Sequence, residues 1–280
     1  MAKGTLYVVA TPIGNLGDIT LRAIETLRSA GRVLAEDTRR TRSLLAHLGI
    51  TGKPVDRLDA HASAETIARV VAHLAGGEDA ALCTDAGTPV VSDPGTELVR
   101  AAVAAGIQVV PVPGPSAVMA ALSVSGLVDG GFRFLGFLPR SGRARREAIA
   151  RATSAEEAVV LFEAPQRLGQ TLADLAAIMP DRDAMIGREL TKLHEELIRG
   201  RLRELADGAA TREWLGEITL VVAPRPEGEA QRAWSDDEID RRIDEELEKG
   251  RRAREVADAL ALETGMARRD LYTRVVARRR

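Results

Sequence analysis

Short apolar runs alternate with amphipathic stretches along the first half of the chain. The runs are rich in β-branched and other apolar side chains, and Gly, Pro or Asp residues bound them. They occupy residues 6–10, 33–35, 80–83 and 107–112. Between them, apolar positions recur every three or four residues, the period of a helix packed on one face, at residues 21–29, 63–75 and 97–105. This alternation predicts an α/β fold with a mainly parallel sheet.

A second series of strands and helices follows a polar, glycine-containing turn at residues 127–131. The pattern predicts strands at residues 132–138, 158–162, 184–186, 195–199 and 217–223, and helices at residues 145–151 and 167–179. Two domains suit a chain of 280 residues. We therefore expect an N-terminal α/β domain at residues 1–128 and a second α/β domain at residues 129–224.

The C-terminal part of the chain has the pattern of a small helical module. A polar segment with Pro and Gly predicts a linker at residues 225–234. Ser235 followed by Glu238 has the spacing of a capping box, in which two side chains satisfy backbone N–H groups at a helix start. We expect two or three short helices in residues 235–280, with breaks at Gly250 and Gly265.

The composition is that of a soluble globular protein, with 45% hydrophobic and 29% charged residues. No stretch approaches the roughly 18 consecutive apolar residues of a membrane-spanning helix, so we expect no membrane partner. The N-terminus lacks the pattern of a signal peptide, and the single cysteine, Cys83, cannot form an internal disulfide. We therefore expect a cytoplasmic protein. No Cys/His cluster has zinc spacing, so we expect no metal.

The net charge hides an uneven distribution. Lys and Arg number 39 against 41 Asp and Glu, a net charge of -2 that argues against a nucleic-acid partner. An aromatic fraction of 3% also argues against a platform for base stacking. However, residues 236–248 hold eight acids and two bases, whereas residues 249–280 hold four acids and ten bases. The tail is either a set of salt-bridged helical surfaces or a basic face for RNA phosphates.

Three turns rich in Gly and Pro follow predicted strands, at residues 11–18, 85–89 and 111–117. Ligands of open α/β sheets bind outside the carboxyl ends of the strands, so these turns would line one crevice. Taken singly, each is an ordinary connection, but together they favour a small-molecule site. A Gly-x-Gly-x-x-Gly fingerprint and a P-loop lysine are both absent, which disfavours a dinucleotide site or a nucleoside triphosphatase.

Eight sequence blocks follow one another along the chain, at residues 9–20, 35–39, 84–89, 112–116, 136–139, 162–167, 188–192 and 216–220. This series resembles the tetrapyrrole methylase superfamily, and within it the enzymes that methylate small-subunit ribosomal RNA. The resemblance implies two α/β domains of a non-Rossmann methyltransferase, with S-adenosylmethionine bound in the cleft between them. It also implies methylation of the ribose 2′-hydroxyl of a decoding-centre cytidine in 16S rRNA, a homodimer, and a C-terminal helix-turn-helix.

The resemblance also implies which residues contact the cofactor. They are Pro12, Asp85, Gly87, Thr88, Pro89, Ser116, Ala117, Phe162 and Leu190. A general base would help a ribose hydroxyl to attack, since its proton must leave. The matching blocks offer Asp18, Asp37, Asp85, Glu163 and Glu189, with Lys192 as an alternative. We favour Glu189 or Asp85, although each could instead cap a helix or accept hydrogen bonds from a loop.

An arginine-rich run lies directly after the block at residues 136–139. Arg140, Arg143, Arg145 and Arg146 either contact rRNA phosphates or belong to a solvated loop that enters a helix. Two other functions stay open at this point. One is a methylase of the same fold that acts on a small acceptor such as a tetrapyrrole, and the other is a non-catalytic RNA-binding module.

Overall fold

The computed structural model describes residues 2–91, 93–226, 235–264 and 266–278. They divide into two compact units. The first contains the residues up to 120 together with residues 189–195, and the second contains residues 121–188 and everything after 195. The sequence places the boundary at residue 128 and does not foresee that a later segment joins the first unit. Among the described residues, no helix is long and apolar enough to cross a bilayer.

The first unit is built on a five-stranded parallel sheet in the order β3-β2-β4-β1-β5. Both of its faces are covered, as a parallel sheet requires: Leu6 and Leu82 lie in one core cluster, and Val9 and Ala81 in another. The elements are β1 (Thr5–Val9), α1 (Leu21–Ser29), β2 (Arg32–Ala35), α2 (Thr38–His47), β3 (Val55–Arg57), α3 (Ala64–Ala75), β4 (Ala80–Cys83), α4 (Thr96–Ala104) and β5 (Gln108–Val112).

The second unit holds another five-stranded sheet, in the order β6-β7-β10-β8-β9. Here only β6 and β7 pair in parallel, and the other three described pairings are antiparallel. The second sheet is therefore mainly antiparallel, unlike the first. Its elements are β6 (Phe132–Phe137), α6 (Gly142–Ser154), β7 (Ala158–Glu163), α7 (Leu168–Ala176), β8 (Asp183–Arg188), β9 (Glu196–Arg201), α8 (Leu202–Ala209) and β10 (Ile218–Val222), and α5 (Ala117–Ser125) leads into it.

Three helices follow at the C-terminus, α9 (Asp236–Glu248), α10 (Ala253–Thr264) and α11 (Arg268–Arg278). The capping box is confirmed, because Ser235 accepts from the Glu238 backbone N–H and the Glu238 side chain accepts from the Ser235 N–H. The helices share an apolar core that includes Ile243, Val256 and Leu271. Most of the predicted linker, residues 227–234, and the predicted break at residue 265 lie outside the described residues.

Ion pairs between α9 and α11 join acidic residues of the first segment of the tail to basic residues of the second. Arg274 pairs with Asp236 and Asp240, each at 2.5 Å. Arg278 pairs with Asp240 at 2.7 Å and with Asp244 at 2.6 Å. The aspartates of α9 thus neutralise Arg274 and Arg278 of α11. For these residues the salt-bridged interpretation of the tail fits the structure.

Candidate active site

Turns from three neighbouring strands meet at the carboxyl edge of the first sheet. Thr11, after β1, and Gly87, after β4, form a two-way backbone bridge with N···O distances of 2.9 and 3.0 Å. The Thr11 hydroxyl also donates to the Thr84 carbonyl at 3.2 Å. The end of β5 lies beside the same turn, since the Ala10 N–H donates to the carbonyl of Val112, the last residue of β5, at 3.1 Å. The turns predicted to line one crevice are therefore brought together.

Small residues allow these turns to approach closely. Gly87 has φ +82°, a backbone conformation that favours glycine. A Cβ on Gly114 would lie 3.1 Å from the Ala10 Cβ, tighter than ordinary packing. The Thr88 hydroxyl fastens the β4 turn to the β5 turn by donating to the Pro115 carbonyl at 3.2 Å. These contacts hold the three turns together through backbone carbonyl and N–H groups.

The Asp85 carboxylate holds two loops together. Its Oδ1 accepts a hydrogen bond from the Asp37 backbone N–H at 3.0 Å, and its Oδ2 lies 3.6 Å from Arg40 Nη1. Asp37 in turn caps α2 by accepting from the Arg39 N–H at 2.8 Å, and this hydrogen bond lowers the pKa of the Asp37 carboxyl. The geometry at Asp85 therefore fits the structural alternative better than the role of a base.

The segment of residues 189–195 packs against the turn after β1. The Thr191 hydroxyl accepts from the Asn15 N–H at 3.1 Å, and Lys192 Nζ lies 2.8 Å from Glu189 Oε1. Glu189 and Thr191 both have positive φ, of 51° and 66°, which costs free energy for residues with side chains. The fold thus holds the Glu189 carboxylate in a strained turn beside the glycine-rich loop, and Leu190 is buried.

Two further carboxyl groups at this edge are not among the candidate bases that the sequence offers. Asp93 and Glu36 line a cavity of about 380 Å³ together with Asp59 and Glu97. Burial, and then the negative charge of Glu36, raise the pKa of Asp93 to about 6, against a hydrogen bond from Thr84 that lowers it. Burial also raises the pKa of Glu36. Only the folded chain shows this burial, so the sequence carries no signal for it.

In the second unit, Phe162 is part of an aromatic group. Its ring packs edge-on against Phe134, with centroids 5.0 Å apart, and at a tilt against Phe137 at 5.5 Å. Phe137 remains 60% exposed. Phe162 therefore helps to form an aromatic surface, the kind of surface that an adenine ring would pack against.

Glu163, the next residue, is a structural anchor and not an available base. It is 1% exposed, accepts from the Thr171 hydroxyl at 2.6 Å, and pairs with Arg167 at 2.5 Å. The Arg145 guanidinium lies 4.0 Å from it and 2.7 Å from Asp174. The Arg145 side chain is only 11% exposed, and its guanidinium is paired with carboxylates of the same unit. Its position therefore argues against the predicted rRNA contact.

The other three arginines of the run lie at the surface. Arg140 is exposed, Arg143 pairs with Glu147 at 2.5 Å, and Arg146 lies 3.6 Å from Asp258. Surface ion pairs of this kind contribute little to stability. An rRNA contact by Arg140, Arg143 and Arg146 stays a prediction.

Comparison with known proteins identifies the family. The model of the family "Tetrapyrrole (Corrin/Porphyrin) Methylases" matches residues 5–206. The chain belongs to the tetrapyrrole methylase family. The match covers the first sheet and every strand of the second sheet except β10, and it stops before the three C-terminal helices.

Curated relatives match nearly the whole chain, among them a protein from Halalkalibacterium halodurans and one from Xylella fastidiosa. Both are named "Ribosomal RNA small subunit methyltransferase I". The protein from Halalkalibacterium halodurans is 40% identical over 96% of this chain and 94% of its own length. The protein from Xylella fastidiosa is 43% identical over 96% of this chain and 98% of its own length.

Solved structures share the tetrapyrrole methylase fold at lower identity. The methyltransferase CobJ has a TM-score of 0.61 and 16% identity, covering 80% of this chain and 97% of its own. Uroporphyrin-III C-methyltransferase from Thermus thermophilus, in complex with S-adenosylhomocysteine, has a TM-score of 0.56 and 20% identity, covering 79% of this chain and 97% of its own. These likenesses establish the fold alone.

Proposed function

We propose that this protein transfers a methyl group from S-adenosylmethionine to the ribose 2′-hydroxyl of a decoding-centre cytidine in 16S rRNA. One contrast carries the proposal. Relatives named for small-subunit rRNA methylation match 96% of the chain at 40% and 43% identity. The uroporphyrin-III methyltransferase structure matches 79% of it at 20% identity. This contrast favours an rRNA acceptor over a tetrapyrrole, and the methyltransferase names argue against a non-catalytic RNA-binding module.

The carboxyl edge of the first sheet fits the cofactor. S-adenosylmethionine supplies a methyl group on a sulfonium, which a nucleophile displaces in line. The joined turns offer backbone donors and acceptors to the polar groups of such a ligand, and their small residues allow close approach. In the first unit the proposed contacts are Pro12, Asp85, Gly87, Thr88, Pro89, Ser116, Ala117 and Leu190. The Phe162 ring, in the second unit, is the proposed adenine contact.

Glu189 is the better of the two favoured bases. Its carboxylate would accept the proton of the attacking hydroxyl, while the Lys192 ammonium at 2.8 Å keeps the carboxylate oriented. Asp85 is less suited, because its carboxylate joins the turn after β4 to the backbone of Asp37 and so has a structural role. The homodimer and the cytoplasmic location that accompany this function stay predictions.

The acceptor class decides between the candidate functions. The protein is incubated with labelled S-adenosylmethionine and, in separate reactions, with small ribosomal subunits that lack native methylation, free 16S rRNA, and uroporphyrinogen III. We expect label in RNA and none in the tetrapyrrole. Label only in the tetrapyrrole would overturn the proposal in favour of a small acceptor, and no label in any acceptor would favour a binding module.

A further inference from the structure

A basic groove lies between α6 and the last two helices of the chain. It encloses about 600 Å³, in the size range of clefts that hold ligands. Its lining contains four arginines against two carboxylates, together with the ring of Tyr272. We call these residues the arginine groove: Arg143, Arg146, Glu147, Ala150, Asp258, Ala261, Arg268, Arg269 and Tyr272.

One carboxylate couples the walls of the arginine groove. Asp258, on α10, lies 3.6 Å from Arg146 on α6 and also pairs with Arg268 at the start of α11. A single negative charge therefore stands between two guanidinium groups from different helices. The second acid, Glu147, pairs with Arg143. The groove keeps an excess of positive charge after its internal pairs are formed.

Arg269 adds a cation that the fold hardly uses. Its side chain is 94% exposed, and its contact with the neighbouring Asp270 is long, at 3.8 Å. Helix α11 begins with Arg268 and Arg269, and both lie in a groove that α6 also lines.

We propose that the arginine groove binds the phosphodiester backbone of the RNA substrate, so that the C-terminal helices and α6 grip one stretch of RNA together. Guanidinium groups suit this task because they bind phosphate oxygens in a bidentate manner. An acidic protein surface would require complementary side chains, whereas a regular array of phosphates needs only spaced cations. The inference rests on the proposed function for the identity of the RNA.

The test measures the affinity for 16S rRNA across a series of salt concentrations. Arg269→Gln is the primary variant, since an exposed side chain can be changed without loss of folding. Arg146→Gln and the double variant extend the test to the other wall. Arg241→Gln is the matched control, because Arg241 is exposed on α9 and does not line the groove. Melting curves check that each variant folds.

The slope of log K against log salt is negative. We expect its magnitude to decrease by roughly 0.7–0.9 for each phosphate that the variant no longer neutralises, with the control unchanged. Unchanged slopes in the groove variants would overturn the inference, and so would an equal fall in the control. Binding of acidic proteins by the groove, with no effect of the variants on RNA binding, would also overturn it.

Methylation of rRNA by the unaltered protein is measured in parallel. If rRNA is methylated but the slopes of the groove variants are unchanged, the proposed role of the groove is refuted and the proposed function is retained. If the groove variants have shallower slopes but the unaltered protein methylates no rRNA, the proposed function is refuted and the role of the groove is retained.

Discussion

The side chain of Lys192 lies directly across Gly14. A Cβ on Gly14 would overlap Lys192 Cγ, so the turn after β1 accepts the later segment only because residue 14 has no side chain. Through this contact the glycine-rich loop fixes the position of Lys192, which in turn is paired with the Glu189 carboxylate. A residue near the N-terminus thereby orients the proposed base.

Replacing Gly14 with alanine tests this arrangement. We expect Gly14→Ala to displace Lys192 and Glu189 and to lower the rate of methyl transfer by about 100-fold, because small misplacements of catalytic groups have effects of that size. Methyl-transfer kinetics check the prediction. Gly131→Ala is the control, since a Cβ there meets nothing within 4 Å. Equal rates for Gly14→Ala and the unaltered protein would contradict the account.

Glu189→Gln removes the proposed base while preserving its size. We expect kcat to fall by about 100- to 10,000-fold, the usual contribution of a general base, with the affinity for S-adenosylmethionine unchanged. Calorimetry of cofactor binding and single-turnover kinetics measure the two quantities. A parallel loss of affinity would show that Glu189 holds the cofactor or the fold.

Asp85→Ala should behave differently from the Glu189 variant. It leaves the Asp37 N–H without its acceptor, so we expect the free energy of unfolding to fall by about 1 kcal/mol. Denaturant unfolding measures this change. Unaltered stability and unchanged affinity for S-adenosylmethionine, together with abolished turnover, would favour Asp85 as the base.

Asp93 makes stability depend on pH in a defined direction. Its pKa is raised from 3.8 to about 6, so between these values the folded state binds more protons than the unfolded state. The contribution of Asp93 to the free energy of unfolding is therefore greatest below pH 3.8 and is lost as the pH rises through 6.

We expect Asp93→Asn to be more stable than the unaltered protein at about pH 8, and the two proteins to be equally stable below about pH 4. Urea unfolding at the two pH values checks this, and a constant difference between the proteins would contradict it.

Glu163 anchors the second unit from within. Glu163→Gln leaves the Arg145 and Arg167 guanidinium groups without their buried carboxylate, so we expect the free energy of unfolding to fall by about 3–5 kcal/mol. Thermal and denaturant unfolding provide the measurement. The control is Glu157→Gln, whose exposed pair with Arg133 should contribute nothing measurable. Similar stabilities for the two variants would refute the anchoring role.

The sequence predicts an element well where its burial is one-sided or complete. Strand β4 lies where the apolar run at residues 80–83 places it, because all four of its residues are buried. The pattern gives no sign of strand β3, which has only three residues, with Asp56 and Arg57 facing solvent at the sheet edge. Helix α2 has an equally weak apolar pattern, since only Thr41 and Leu45 are buried along it.

The site is predictable only as far as its turns. Gly and Pro after apolar runs indicate where a parallel sheet exposes its loops, and the bridge between Thr11 and Gly87 bears this out. The sequence does not show which charged side chains form ion pairs within the fold, because their partners are distant in the chain. Arg145 resembles its neighbours in the sequence, but Asp174, 29 residues later, removes it from the surface. The same holds for Asp93, whose burial arises only in the folded unit.

The most direct test is to locate the methyl group. Small ribosomal subunits that lack native methylation are treated with the protein and S-adenosylmethionine, and the rRNA is digested to nucleosides and mapped by mass spectrometry. We predict one added methyl group on the ribose 2′-oxygen of a decoding-centre cytidine, and its loss with Glu189→Gln. A methyl group on a base, or none on the RNA while a tetrapyrrole is methylated, would contradict it.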